Sequence, residues 1–110
     1  MKVAYVLSSP NCQKILTSMI IPQLQDSRHG AEVVGMFFLM DNTFFLMDGT
    51  ETGRELQELQ EQTGMLLMGC DQCIIERNLE KKLIPSAKIG CFPNLYAALS
   101  GSGLDQVITL

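Results

Sequence analysis

Gly64-Met65-Leu66-Leu67-Met68-Gly69-Cys70-Asp71-Gln72-Cys73-Ile74-Ile75 is the stretch that decides the fold. An unbroken apolar run between glycines marks a strand buried on both faces. Asp71 is a residue type that caps helices. Ile74, Ile75, Leu79 and Leu83 then recur at helical spacing, with Arg77, Lys81 and Lys82 toward the favourable C-terminal end. A strand running straight into a helix is one step of a βαβ unit, and the same pattern extends to either side.

Upstream, Val3 to Leu7 is another buried strand, closed by Ser8-Ser9-Pro10. Ser9 can cap a helix and Pro10 suits its first position, and Ile15, Leu16, Met19, Ile20 and Leu24 form its stripe until Ser27-Arg28-His29-Gly30. Pro22 should kink or divide that helix, because its ring clashes with the preceding turn and it has no N–H to donate. Glu32 to Met40 reads as the second strand. Phe37 to Thr43 is then nearly repeated as Phe44 to Thr50, an echo far too short for a stacking repeat, so the second copy reads as an apolar loop beyond the sheet. Glu51 to Thr63 is a surface helix with a narrow stripe at Leu56 and Leu59, stopped by Gly64.

Downstream, Ala87 to Gly90 is a short strand, Pro93-Asn94 opens a helix through Leu99, and Gln106 to Leu110 is the last strand. Strands alternating with helices, over connections too long for hairpins, predict one α/β domain spanning residues 1–110. Its parallel sheet should be covered on both faces by right-handed crossovers.

Composition narrows the function. With 46% hydrophobic and 18% charged residues the chain can bury a real core, which excludes disordered and low-complexity classes. A net charge of -4 with only eight Lys and Arg leaves no basic patch for nucleic acid or an anionic membrane. The longest run without a polar side chain, Val33 to Met40, is well short of the roughly 18 residues of a membrane span. Val3 to Leu7 is likewise short for a secretory signal. The expected location is cytoplasmic, where cysteines are more often catalytic, redox-active or metal-bound than paired in structural disulfides.

Open parallel sheets bind ligands beyond the carboxyl ends of their strands. Cys12 follows the first strand, Cys70 ends the third, Cys73 lies one turn into the next helix, and Cys91 follows the fourth strand, so all four are expected to crowd one rim. The bland alternative is that cysteine is a small core hydrophobe, which fits Cys12 and Cys91 better than Cys70. At Cys70 a helix N-terminus favours thiolate, the nucleophilic form, although the adjacent Asp71 opposes a second negative charge.

Cys70-Asp71-Gln72-Cys73 also has the form of a dithiol in which the second sulfur resolves a mixed disulfide on the first. A zinc site would need Cys91, eighteen positions beyond Cys73, and Cys12 to complete the set, because Asn94 stands where a zinc ribbon would place its last ligand. Metal binding stays open as an alternative. His29 belongs at the opposite rim as a solvated loop residue, which argues against a Cys-His couple. The loop after the first strand lacks the glycines of a dinucleotide fingerprint, so NAD and FAD are not expected. The methionines read as core, and Asp41 and Asp48 as turn formers.

Met1-Lys2-Val3-Ala4-Tyr5-Val6, His29 to Phe38, Gly64 to Cys70 and Gly103 to Leu110 carry a resemblance over essentially the whole chain to the DsrE/TusD-like family of small sulfur-relay proteins. Cys70 to Cys73 and Ile89-Gly90-Cys91-Phe92-Pro93 look similar to segments of its DsrE-related SaoD type. The resemblance implies a three-layer α/β/α sandwich with a five-stranded parallel sheet, and homo- or hetero-oligomers without a cofactor. It also implies sulfur donor and acceptor proteins as partners, and a persulfide carried on Cys70. Cys73 departs from the simplest carriers as a resolving or assisting thiol, with Cys12 and Cys91 as possible accessory thiols. The rival expectation is a non-enzymatic oligomeric subunit, in which Phe44-Phe45-Leu46-Met47 covers a neighbouring subunit or the cysteine rim.

Overall fold

The computed structural model describes residues 1–110. Its strands β1 (Lys2–Leu7), β2 (Glu32–Phe38), β3 (Leu66–Cys70), β4 (Lys88–Gly90) and β5 (Gln106–Thr109) form one all-parallel sheet in the order β4-β3-β2-β1-β5. The chain steps from β1 to β4 in one direction and then crosses back to β5. Right-handed crossovers therefore put the early helices on one face and the last helix on the other, giving a three-layer α/β/α arrangement.

The first face holds the main core. Val3, Tyr5 and Leu7 of β1 and Val33, Met36 and Phe38 of β2 pack under Leu16, Ile20 and Ile21 of the first helical stretch and under Leu56 and Leu59 of α3 (Glu51–Thr63). On the second face a smaller cluster joins Phe37, Met68, Cys70, Cys73 and Leu95, with Val6, Leu66 and Leu99 against it. Leu95 and Leu99 belong to α5 (Phe92–Leu99), a helix of eight residues. Gly35 of β2 admits α5, since a Cβ there would meet Leu66 Cβ and Leu99 Cδ2 at 3.2 Å. Beyond α5 an apolar cleft of about 650 Å³ is left over β1 and β5, lined by Val6, Phe37, Leu39, Tyr96, Leu104 and Val107 among others.

Several elements differ from expectation for identifiable reasons. The first helix starts at Cys12, not Pro10, and Ser9 is no cap: its hydroxyl accepts from Asn11 N–H instead. Pro22 does divide it, into α1 (Cys12–Ile15) and α2 (Ile21–Gln25), joined by a π turn over Leu16–Ile20. The wider ring of a π turn absorbs the missing N–H without breaking the rod. Met19, placed on the apolar stripe by spacing, is turned largely outward by that widening. The second Phe-Phe-Leu-Met copy is not a loop but part of a 3-10 helix, Met40–Leu46, that buries Leu46 and leaves Phe44 partly exposed.

The helix after β3, α4 (Asp71–Glu76), spans only six residues instead of running on toward Leu83. Asn78 takes a left-handed conformation (φ 55°) while its N–H bonds to Ile75 O and that of Leu79 to Ile74 O, the double bond of a Schellman stop. Leu79 is buried from this turn, and Ile75 faces outward.

Candidate functional site

β3 delivers Cys70 to the carboxyl edge of the sheet, and the first turn of α4 folds Cys73 back over it. Cys70, not Asp71, is the N-cap residue: its Sγ accepts from Cys73 N–H at 3.5 Å, while the Asp71 carboxylate takes the Gln72 N–H at 2.7 Å. Gly69 makes the close approach possible, because a Cβ there would fall 2.6 Å from Ile74 Cδ1.

Both thiols are nearly closed off, Cys70 at 8% exposure and Cys73 at 4%, in the cluster with Phe37, Met68 and Leu95. Burial pushes the Cys70 thiol up from its ordinary value, and the neighbouring Cys73 adds to this, both as hydrogen-bond partner of the protonated form and as like charge. Backbone N–H groups of Cys73 and Gln72 pull the other way without prevailing. The thiolate-favouring field expected at a helix N-terminus is weak here because six residues carry little aligned dipole.

Cys73 has a different setting. Its Sγ accepts from the Met40 N–H at 3.2 Å and lies 4.0 Å from Met40 Sδ. Arg77, one turn on, donates to the Cys73 carbonyl at 3.1 Å and to Asp41 at 2.9 Å. Met40, Asp41 and Arg77 also line a cleft of about 420 Å³ at the ends of β1 and β2, together with Ser9, Gln13 and Phe44 among others.

The four cysteines do not share one site. Cys70 and Cys73 meet. Cys91 follows Gly90, the residue registered against Cys70, so it sits on the adjacent strand end, partly exposed, with its N–H on Asn94 Oδ1 at 2.8 Å. Cys12 is fully buried in the core under the other face, its Sγ 3.8 Å from Ser9 Oγ. The sheet itself separates it from the pair. No three His, Cys, Asp or Glu side chains converge as a metal-holding group, so the zinc alternative has no geometry behind it.

His29 is not the solvated loop residue expected: its Nε2 pairs with Tyr5 OH at 2.8 Å and its Nδ1 with Gln23 Oε1 at 2.9 Å, away from the thiols. Asp41 is more than a turn former, because it holds Arg77. The Cys73–Arg77 contact is local: Arg77, the residue that closes α4, folds its side chain back onto the carbonyl four residues earlier. Nothing in the sequence announces Met40, which arrives from 33 residues away.

No family model matches the chain, and no curated protein is similar to it. Solved structures are. The ychN protein from E. coli superposes with a TM-score of 0.69 at 18% identity over 99% of this chain and 97% of its own. MTH1491 of Methanobacterium thermoautotrophicum gives 0.70 at 10% identity, covering 99% and 98%. BT1422 of Bacteroides thetaiotaomicron gives 0.69 at 12%, covering 99% and 94%. The chain shares their fold from end to end. At these identities that likeness concerns the path of the backbone and not the chemistry.

Proposed function

We propose that the protein is a sulfur carrier of the DsrE/TusD type, which takes a sulfane sulfur from a donor protein, holds it as a persulfide on Cys70 and yields it to an acceptor thiol. The observation that carries this reading is the Cys70–Cys73 pair at the carboxyl edge of β3, enclosed by Phe37, Met68 and Leu95. A persulfide is prone to attack by other thiols and to oxidation, and an apolar enclosure protects it between donor and acceptor.

Site-resolved mass spectrometry after exposure to a persulfide donor tests it. The wild-type chain should gain 32 Da, roughly the mass of one sulfur atom, on the peptide containing Cys70, and Cys70→Ser should store none there. Equal and persistent uptake by Cys70→Ser would remove the assignment.

A second reading, an interaction subunit that assembles with copies of itself, is favoured by α5 and the bare half-sheet beside it. From Ile89 to Leu104 there is no charged residue, and Phe92, Tyr96 and Val107 are exposed. Parallel sheets are ordinarily covered on both faces. The two readings are compatible.

A further inference from the structure

We propose that sulfur is received on Cys73 and stored on Cys70, so that the thiol beneath the Met40 cleft meets the donor and the other holds the cargo. This rests on the sulfur-carrier reading above and assigns an order to its two thiols.

The argument begins with Met40, the wall shared by the outside and the site. It lines the cleft of about 420 Å³ at the ends of β1 and β2, and it touches Cys73 Sγ through both its N–H and its Sδ. Its side chain is unbranched and flexible, and the residue is 57% exposed. Its backbone is held at φ 53°, a left-handed conformation that an L-residue keeps only where the surrounding contacts maintain it. A swing of this one side chain uncovers Cys73. Both thiols pack among Phe37, Met68 and Leu95, but the hydrogen bonds of Met40 reach Cys73 and not Cys70.

The hydrogen bonds point the same way. The Met40 N–H is aimed at Cys73 Sγ at 3.2 Å, and the Arg77 guanidinium is anchored one turn away on the Cys73 carbonyl. Burial favours the protonated form of Cys70, which makes it the poorer attacker of an external donor.

The chemistry closes without an oxidant. The Cys73 thiolate attacks the outer sulfur of a donor persulfide, the donor S–S bond breaks, and the donor is released as its thiolate. Cys70 then gives its proton to the donor thiolate released in the first step, which leaves as the thiol, and attacks the outer sulfur of the Cys73 persulfide. The new S–S bond breaks, and Cys73 departs as a thiolate onto the waiting Met40 N–H. Adjacency replaces acidity in this second step, since the two thiols are held together by one turn of chain.

The test uses the full chain and glutathione persulfide at neutral pH, with site-resolved mass spectrometry over time. Wild type should finish with sulfur on Cys70, Cys70→Ser should trap it on Cys73, and Cys73→Ser should load Cys70 at least about tenfold more slowly. Met40→Gly, which suits the left-handed backbone and keeps both thiols, should load severalfold faster. Loading of Cys70 at the wild-type rate in Cys73→Ser, a bare Cys73 in Cys70→Ser, or an unchanged rate in Met40→Gly would each overturn the order while leaving the carrier reading intact. Release of hydrosulfide with a Cys70–Cys73 disulfide would overturn storage on Cys70. A wild-type chain that takes sulfur on neither thiol would sink the order and the carrier reading together.

Discussion

Asn78 ends α4 with its backbone at φ 55°, where glycine is at ease and asparagine tolerable, but where a plain Cβ is crowded by the carbonyl. Asn78→Gly should leave stability within about 0.5 kcal/mol of wild type, and Asn78→Ala should cost about 1 kcal/mol, read from urea unfolding midpoints. Gly53 is less forgiving. A Cβ there would run into the carbonyl oxygen of Met47, a backbone atom that cannot step aside, with Thr50 Oγ1 at 2.8 Å. Gly53→Ala should therefore lose about 1–3 kcal/mol even though alanine is the better helix former. Neither requirement shows in the residue string, because each arises from backbone geometry. The pairing of Cys70 with Cys73 was legible, since three-residue spacing at a strand-to-helix junction is local information. The contact from Met40 was not, because it depends on where two distant segments meet.

Among the elements, α3 matched its expected span residue for residue because its signals are local. Thr50 caps it by accepting the Gly53 N–H at 3.0 Å, and Gly64 stops it at φ 74°. α4 fell short of its expected length because Leu79, spaced like a helix residue, is buried by a turn instead. Apolar spacing reports burial, not the conformation that achieves it. The link between α2 and β2 carries a pH prediction of its own. Burial lowers the His29 pKa from its ordinary value of 6.5, with Tyr5 and Gln23 on its two ring nitrogens. Above that value the ring is neutral in both folded and unfolded chains, and its contribution is fully present. As pH falls through and below it, the unfolded chain binds the proton first, so stability declines until the folded ring also protonates. Urea midpoints measured from pH 8 down to pH 5, a span chosen around the roughly 6.5 reference value, should drop across this window, and His29→Gln should flatten that drop.

At the scale of the whole molecule, the two faces of the sheet are unequally dressed. The first carries α1, α2 and α3, while the second has the eight residues of α5 and, at one end, Cys73 of α4 against five strands. The strand alternation made the layers readable from sequence, but it could not show how far a short helix would reach across them. If copies of the chain cover the bare half-sheet, light scattering should report an oligomer. Tyr96→Glu, at a residue 66% exposed, should then lower the mass toward the monomer without changing the far-ultraviolet circular dichroism. A wild-type monomer at tens of micromolar, a rough working concentration for an interface of standard size, would remove the self-assembly reading.

The strand order also sets a schedule for folding. β1 finds β2 after some thirty residues, but its other edge waits for β5, and the registers Val3 with Gln106 and Val6 with Thr109 close the longest loop in the sheet. Asp105 fastens that seam by accepting the Lys2 N–H at 2.7 Å. A chain emerging from the ribosome must therefore carry an unsatisfied row of amides and carbonyls on its first strand until its final strand is made. Truncation before Gln106 should leave that row permanently open, turning a well-behaved nascent chain into one prone to pair with its neighbours.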